Sequence, residues 1–281
     1  MMRSRSRVQD FEEKAFNLLR DLIYARTGLY YGDDRCELLE EKLAPLVAER
    51  GFNSYLDYYR CLKDGTCAAL EWQRLIDAIT VQESYFWREM GQVHALVEEI
   101  VPAYVAQHPG QTLRIWSAAC ATGEEPLTIA MALEEAGWFA RASIEIVASD
   151  ISAAALARAR RGWYRARAFR NLPRTLQRKY FTPVNEGWQV LPALQRRIQW
   201  RQANLVVREE ILDLATAPVI FCRNVFIYFS REMARRVVEL FAEQMSAPGY
   251  LCLGAAESLF RVTTAFRLEQ IGEGLIYVKA T

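Results

Sequence analysis

Two adjacent glutamates follow a run of small side chains, and the stretch that contains them is a candidate ligand-binding site. Residues 112–131 read TLRIWSAACATGEEPLTIAM: a short apolar run, a small-residue turn and a helical pattern. A strand, a turn and a helix in this order hold nucleotide-like ligands at the carboxyl end of a parallel sheet. An ordinary strand–helix connection fits the same letters.

The composition of that turn selects among ligands. It holds a single glycine, Gly123, and the carboxylates of Glu124 and Glu125 stand where a pyrophosphate needs bare backbone N–H groups. Negative charge repels phosphate and attracts a cation. We therefore predict S-adenosylmethionine (SAM), with its amino group and sulfonium, as the ligand, and we place Ala118 and Gly123 among the residues that bind it.

An acidic residue ends the next predicted strand. Residues 143–150 read SIEIVASD, and Asp150 closes this run. In nucleoside-binding α/β folds an acid at this strand end accepts hydrogen bonds from the ribose hydroxyls. A cap for the helix that Ser152 can begin is the alternative. Because Asp150 falls two elements after the first motif, we favour the ribose role.

A charged and a polar residue interrupt the most apolar stretch of the chain. Residues 217–229 read APVIFCRNVFIYF, with Arg223 and Asn224 at the centre. Burial of an arginine is costly unless the strand ends there and the side chain faces a site. We predict a core strand that ends at Cys222, with both polar residues at its carboxyl end.

Basic residues dominate the segment after the second strand. Between residues 151 and 185 there are nine basic residues and no acidic one, and aromatic residues are interleaved with them. A solvated surface is the plain alternative. So one-sided a block favours an acidic partner, either nucleic acid phosphates or a carboxylate-rich protein surface.

The elements that must position these residues indicate an α/β fold. Residues 1–79 read as a helical domain with four helices, and residues 80–281 alternate strands with helices, which predicts a doubly wound, mostly parallel sheet. Short β-like runs at 180–182, 188–191 and 198–200 predict a small antiparallel insert over about residues 179–203. Residues 249–254 and 274–279 supply the last two strands.

Composition narrows the class of protein. The 281 residues carry a net charge of +1, 52% are hydrophobic, and neither disorder nor a membrane span is indicated. With six cysteines, no CxxC pair and two histidines, a metal site is not expected. Free thiols fit a reducing compartment, and no apolar segment follows the basic amino terminus as in a signal peptide. We expect a cytoplasmic protein.

These motifs together resemble the CheR family of chemotaxis receptor methyltransferases. The resemblance runs through RTGLYYGDD (26–34), TVQESYFWRE (80–89), SAACATGEEP, ASDI, ARRGWY (159–164), FCRNVFIYF and GAAESL, and it covers nearly the whole chain. It implies an all-helical amino-terminal domain and a class I SAM-dependent methyltransferase domain with a small β-subdomain. The implied activity is methyl transfer from SAM to glutamates of methyl-accepting chemotaxis proteins, which leaves S-adenosylhomocysteine and uses no metal.

The resemblance also implies site residues. The positions that match the family's SAM-binding residues are Gln82, Ser84, Arg88, Glu125, Asp150, Asn204, Leu205, Arg223 and Asn224. Glu125 would pair with the methionine amino group and Asp150 with the ribose, while Arg88 and Tyr228 would orient the reacting groups. The chain departs at Val81-Gln82, where the family usually has Thr-Asn.

The implied chemistry asks little of the protein, because a glutamate with a pKa of ~4.3 is ionised at neutral pH and needs no general base. We expect the basic block 158–179 of a monomeric enzyme to contact a Glu-rich helical surface of the receptor, with no membrane insertion. A nucleic acid methyltransferase is the second hypothesis, although no DPPY or NPPY motif is present. A SAM-sensing or receptor-docking module without turnover is the third.

Overall fold

The computed structural model describes residues 2–64 and 68–279. The chain forms two compact units: Met1–Val81 with Tyr228–Ser230, and Gln82–Ile227 with Arg231–Thr281. Among the described residues, no helix has the length and apolar character needed to cross a membrane.

The first unit is helical, as predicted. Its helices are α1 (Met2–Thr27), α2 (Cys36–Glu49), α3 (Tyr55–Asp64) and α4 (Ala68–Ile79). Leu19 and Ile23 of α1, Leu39 of α2, Tyr58 of α3 and Leu75 of α4 are fully buried together. The helical spacing of apolar residues therefore produces one shared core. The side chain of Phe11, which we assigned to the apolar face of α1, lies outside the described residues.

The second unit contains the remaining helices. They are α5 (Gly91–Ala95), a π-helical turn (Leu96–Ile100), α6 (Val101–Gln107), α7 (Glu124–Glu135), α8 (Trp138–Arg141), α9 (Ala153–Arg161), α10 (Arg174–Tyr180), α11 (Pro192–Gln195), α12 (Arg208–Ile211) and α13 (Arg231–Gln244). Helices α7 and α9 contact the second strand of the sheet, and α6 contacts the first.

Ten strands in the described parts of the chain form two sheets. They are β1 (Leu113–Ala118), β2 (Ile144–Asp150), β3 (Trp163–Tyr164), β4 (Phe181–Val184), β5 (Gly187–Val190), β6 (Ile198–Gln202), β7 (Val219–Phe221), β8 (Tyr250–Cys252), β9 (Phe266–Ile271) and β10 (Gly274–Lys279). The large sheet has the order β6-β2-β1-β7-β8-β10-β9; β10 is antiparallel to β8 and β9, and the other neighbouring strands pair in parallel. This is the expected mostly parallel sheet.

The register of the strands brings their carboxyl ends to one edge. Ser117 of β1 lies opposite Phe221 of β7, and Ala118 lies opposite Ser149 of β2. The chain leaves β1 towards β2 on one side and reaches β7 on the other side, so the strand order reverses next to β1. Ligands of open α/β sheets bind at such a switch point.

The prediction that residues 198–200 form the third strand of the small insert was wrong. Ile198–Gln202 is not part of the small sheet but pairs in parallel with β2 as the edge of the large sheet. The small sheet has the order β3-β5-β4, so its third strand is Trp163–Tyr164. A strand of five residues carries no local signal of which sheet it joins. Strand β9, at the other edge, was missed because Phe266–Ile271 reads FRLEQI, in which the two adjacent polar residues Glu269 and Gln270 break the alternation of a strand.

The prediction that the cysteines are free thiols was partly wrong. Cys36, Cys120, Cys222 and Cys252 are free, but Cys61 is disulfide-bonded. The remaining cysteine, Cys67, lies outside the described residues.

Candidate functional site

The turn after β1 is held in an unusual backbone conformation. Ala119 and Ala121 have φ angles of 56° and 48°, and Gly123 has a φ angle of 94°. Left-handed geometry costs a residue with a Cβ about 1–2 kcal/mol, which small side chains tolerate best. A Cβ on Gly123 would also lie 2.7 Å from the Trp200 ring, so only glycine fits there. The Tyr164 hydroxyl donates to the carbonyl of Thr122 at 2.9 Å and fixes the turn from outside.

Beyond this turn, Glu125 lies between a hydroxyl and a guanidinium. Ser117 Oγ donates to Glu125 Oε1 at 2.7 Å, and Arg223 Nε lies 3.6 Å from Glu125 Oε2. The arginine side chain is only 3% exposed. Burial raises the pKa of Glu125, and the charge of Arg223 and the Ser117 hydrogen bond oppose that rise. The structure therefore brings Glu125 and Arg223 together from the ends of β1 and β7.

Arg88 approaches the same pair through its backbone and through Glu89. Arg223 Nη2 donates to the carbonyl of Arg88 at 2.8 Å, and the Glu89 carboxylate lies 3.5 Å from Arg223 and 3.4 Å from Arg88 Nε. Among the described residues, the buried Nε atoms of Arg88 and Arg223 have no hydrogen-bond partner. Two unsatisfied guanidinium donors beside a carboxylate suit a zwitterionic amino acid group, which brings an acceptor and a cation together.

Asp150 connects the turn to the end of β2. Its Oδ2 accepts from the backbone N–H of Ala121, and its Oδ1 accepts from the N–H of Ser152, both at 2.8 Å. Ser152 itself caps α9 by accepting from the N–H of Ala155 at 3.0 Å. Asp150 therefore supports the entry to α9, as the helix-cap alternative expects, and its ribose role stays a prediction.

The two polar residues of the segment before Arg88 meet different partners. Gln82 Nε2 donates to Ser152 Oγ at 3.0 Å, and Gln82 Oε1 accepts from Arg158 at 3.2 Å. Ser84 donates a hydrogen bond to Glu124, a buried carboxylate whose pKa is raised by burial. Gln82 thus lies beside the Asp150–Ser152 corner, while Ser84 lies against Glu124.

The remaining predicted residues follow β6 and β7. Asn204 is 7% exposed, its N–H donates to Glu210, and its Oδ1 accepts from the N–H of Val206 at 3.2 Å. Leu205 is buried next to it. Asn224 has a φ angle of 60°, and its N–H donates to Glu257 at 2.7 Å. The order of the strands thus places all the predicted residues from Gln82 to Asn224 in the second unit.

Tyr228 belongs to the other unit. The segment Tyr228–Ser230 is grouped with the helices of the first unit. There the carbonyl of Tyr228 accepts from the N–H of Tyr30 at 2.8 Å, and Leu29 forms a β-bridge with Phe229. Its expected role beside Arg88 stays a prediction.

The basic block surrounds a cavity of about 770 Å³ in the second unit. Its lining includes Gln82, Ser84, Thr122, Glu124, Trp163, Tyr164 and the arginines 158, 161, 165, 167 and 170. Arg170 is paired with Glu83 at 3.6 Å, whereas Arg161, Arg165 and Arg167 have no carboxylate within 4.0 Å among residues 2–64 and 68–279. Three unpaired guanidiniums thus face a space that borders the small-residue turn.

Sequence reasoning missed two glutamates that organise this edge of the sheet. Glu89 lies against Arg88 and Arg223, and its carboxylate accepts from the N–H of Ala255 at 3.2 Å. Glu257 accepts from several N–H groups of the loop after β7. Both occur in quoted motifs, TVQESYFWRE and GAAESL, but nothing in those letters indicates which backbone groups they reach. No cluster of three or more metal-ligating residues occurs in the part of the chain that the structure describes.

The sheet order, the small-residue turn and the acid at the end of β2 define the class of protein: a class I SAM-dependent methyltransferase. The family models agree. Residues 82–275 match the CheR methyltransferase SAM binding domain, and residues 14–80 match the CheR methyltransferase all-alpha domain. The chain belongs to the CheR methyltransferase family, which confirms the resemblance and SAM as the cofactor.

Curated relatives support the same assignment. Chemotaxis protein methyltransferase 2 of Vibrio cholerae is 36% identical over 94% of this chain and 92% of its own length. Chemotaxis protein methyltransferase Cher2 of Pseudomonas putida is 30% identical over 93% of this chain and 96% of its own length. Among solved structures, magnesium protoporphyrin IX methyltransferase of Synechocystis PCC 6803 with bound SAM matches with 14% identity and a TM-score of only 0.35, over 79% of this chain and 96% of that one.

Proposed function

We propose that this enzyme transfers the methyl group of SAM to glutamate side chains of chemotaxis receptors and leaves a glutamyl methyl ester. Its family membership makes it a SAM-dependent methyltransferase whose relatives are chemotaxis protein methyltransferases. The observation that carries the proposal is the cluster of Glu125, Arg223 and Arg88 at the carboxyl ends of the strands. Its charged groups can bind the amino and carboxylate groups of the methionine moiety of SAM.

The cofactor roles follow from the contacts of that cluster. Glu125 binds the α-amino group, because it accepts from Ser117 near the end of β1 and lies beside the buried Arg223, and the unsatisfied Nε of Arg223 donates to the carboxylate of the methionine moiety. Asp150 accepts from the ribose hydroxyls. The remaining cofactor contacts come from Gln82, Ser84, Arg88, Ala118, Gly123, Asn204, Leu205 and Asn224.

Bound SAM supplies an electrophilic methyl group. Transfer to a glutamate would form a bond between its carboxylate oxygen and the methyl carbon, break the carbon–sulfur bond and leave the electron pair on sulfur. Two opposite charges disappear, so exclusion of water helps the reaction, and no proton is transferred. Burial raises the pKa of Cys120 and Cys222 well above the usual thiol value, which keeps both protonated and unsuited as competing nucleophiles.

Arg88 and Tyr228 orient the reacting groups in this proposal. The guanidinium of Arg88 has an unsatisfied buried donor, and a planar fork of donors suits an incoming carboxylate. In-line placement of the two reactants supplies most of the rate enhancement, up to about 7–11 kcal/mol in the most favourable cases.

We further propose that the basic block 158–179 contacts an acidic, Glu-rich helical surface of the receptor. The unpaired Arg161, Arg165 and Arg167 support this role, because guanidiniums bind carboxylates in a bidentate manner. We also propose a cytoplasmic location: Cys36, Cys120, Cys222 and Cys252 are free, as in a reducing compartment, whereas the disulfide at Cys61 is unusual there. We also propose that it acts as a monomer.

Transfer of labelled methyl from SAM to a receptor fragment tests the proposal. Label released by mild base identifies a glutamyl ester. Reversal of Arg161, Arg165 and Arg167 to Glu should raise the KM for the receptor fragment and leave SAM affinity nearly unchanged, and added salt should mimic the effect since exposed contacts are screened over ~8–10 Å. Arg267→Glu on β9, where the arginine side chain is 67% exposed, controls for a charge reversal outside the basic block.

Two outcomes would contradict the proposal. Methylation of RNA or DNA in place of the receptor fragment would favour the nucleic acid hypothesis. SAM binding without any methyl transfer to a receptor would indicate the module that senses SAM or docks on a receptor.

A further inference from the structure

A single carboxylate gathers the backbone donors of the loop that carries Asn224. Glu257 Oε1 accepts from the N–H groups of Val225 and Phe226, each at 2.7 Å, and from Ile227 at 3.3 Å. Glu257 Oε2 accepts from Asn224 at 2.7 Å. Four successive N–H groups that converge on one anion form a nest, a concavity that stabilises negative charge.

The same carboxylate also holds the neighbouring strand end. Glu257 Oε2 accepts from the N–H of Gly254 at 2.8 Å, just after β8. Cys252 and Phe221 are register partners, so the loops after β7 and β8 leave the sheet side by side. Glu257 therefore joins the two loops through backbone contacts alone.

The junction has little free space. A Cβ on Gly254 would lie 2.4 Å from Asn224 Nδ2 and 3.0 Å from the backbone N of Asn224. Asn224 also has a left-handed φ of 60°, which is uncommon for a residue other than glycine. A loop in this conformation persists only when its surroundings hold it, and Glu257 supplies five of the accepting contacts.

We propose that Glu257 is a positioning residue of the methyltransferase: it holds the loop after β7 in the shape in which Asn224 binds SAM. It reaches the cofactor through that loop and does not touch it. The inference rests on the proposed cofactor role of Asn224. It adds a determinant that lies outside the predicted site residues.

Glu257→Gln tests the inference because an amide keeps the size of the side chain but presents one acceptor and an NH₂ group to donors. We expect the Kd for SAM, measured by calorimetry, to rise at least about tenfold, because the loop that carries Asn224 loses the charged acceptor of its N–H groups. Hydrogen exchange should show faster exchange of the amides of residues 224–227. Glu269→Gln, an exposed glutamate of β9, removes the same charge and should change neither quantity.

Two further variants separate positioning from general destabilisation. Gly254→Ala leaves the carboxylate in place but crowds Asn224, so it should weaken SAM binding with Glu257 intact. Asn224→Gly keeps the left-handed backbone and removes the side-chain amide. In that background Glu257→Gln should raise the Kd for SAM much less than it does in the wild type.

The results distinguish the inference from the proposed function. Wild-type SAM affinity in Glu257→Gln would overturn the inference. If Glu257→Gln fails to fold, Gly254→Ala decides alone. Normal affinity in Asn224→Gly would overturn both the inference and the cofactor role of Asn224. Weak SAM binding by Asn224→Gly with normal binding by Glu257→Gln would overturn only the inference.

Discussion

Glu125 offers the sharpest test of the cofactor site, because its charge is expected to serve binding at the expense of stability. Glu125→Gln keeps the shape of the side chain, and the amide oxygen can still accept from Ser117 Oγ, which lies 2.7 Å away. The charge next to Arg223 is lost. Arg223 keeps the Glu89 carboxylate at 3.5 Å, so the variant does not leave a lone buried cation.

The expected loss is that of a hydrogen bond between charged groups. Such a bond contributes about 1.5–3 kcal/mol, which corresponds to an increase of about 10- to 150-fold in the Kd for SAM. The pKa of Glu125 is raised by burial, so SAM affinity of the wild type should fall as the pH falls towards that raised pKa, and the variant should lack this dependence.

The stability of the ligand-free protein should not fall in Glu125→Gln, in contrast to its affinity for SAM. For a carboxyl group whose pKa is raised on folding, the folded state binds more protons than the unfolded state between the two pKa values. Its contribution to stability is complete below the unfolded pKa and is lost as the pH rises through the folded pKa. At neutral pH the neutral glutamine should therefore leave the melting temperature of the free protein unchanged or higher.

Calorimetry with SAM and thermal melts with and without SAM measure both effects. Glu124→Gln removes a charge from the same helical turn, but Glu124 faces Thr122 and Ser84 and should affect SAM affinity less. Glu134→Gln, at the far end of α7, should affect neither quantity. A Glu125→Gln protein that binds SAM with wild-type affinity, or that keeps the pH dependence, would refute the reasoning.

Other residues give further predictions. Asp150→Ala should raise the Kd for SAM, because each charge-assisted hydrogen bond to a ribose hydroxyl contributes ~1.5–3 kcal/mol, and unchanged affinity by calorimetry would disprove the ribose role. Arg88→Ala should lower kcat/KM in the methyl transfer assay by orders of magnitude, with only partial rescue by Arg88→Lys, because an ammonium lacks the planar fork. Tyr228→Phe should lower kcat/KM less than Arg88→Ala does, since it removes one hydroxyl and keeps the ring. The pH–rate profile should show no limb from a proton-transferring residue, in contrast to an enzyme with a general base.

The local motifs could be predicted because each depends on neighbours in the chain. The run before Ser117 forms β1, the residues from Glu124 form α7, and Asp150 ends β2, as their apolar patterns indicate. Arg223 follows a buried strand, since its charge cannot continue into the core. SAM could be predicted as the cofactor from the family resemblance without any knowledge of the fold.

Contacts between distant segments were decided only by the tertiary structure. The strand Ile198–Gln202 joins β2 and not the small sheet, because pairing depends on which edge is free when the sheet assembles. Glu89 lies 134 positions from its partner Arg223, and Glu257 lies 33 positions from its partner Asn224. A carboxylate in a sequence shows no sign of the donors that reach it. Type and spacing thus determine which groups are available, and packing of the strand ends decides which of them meet.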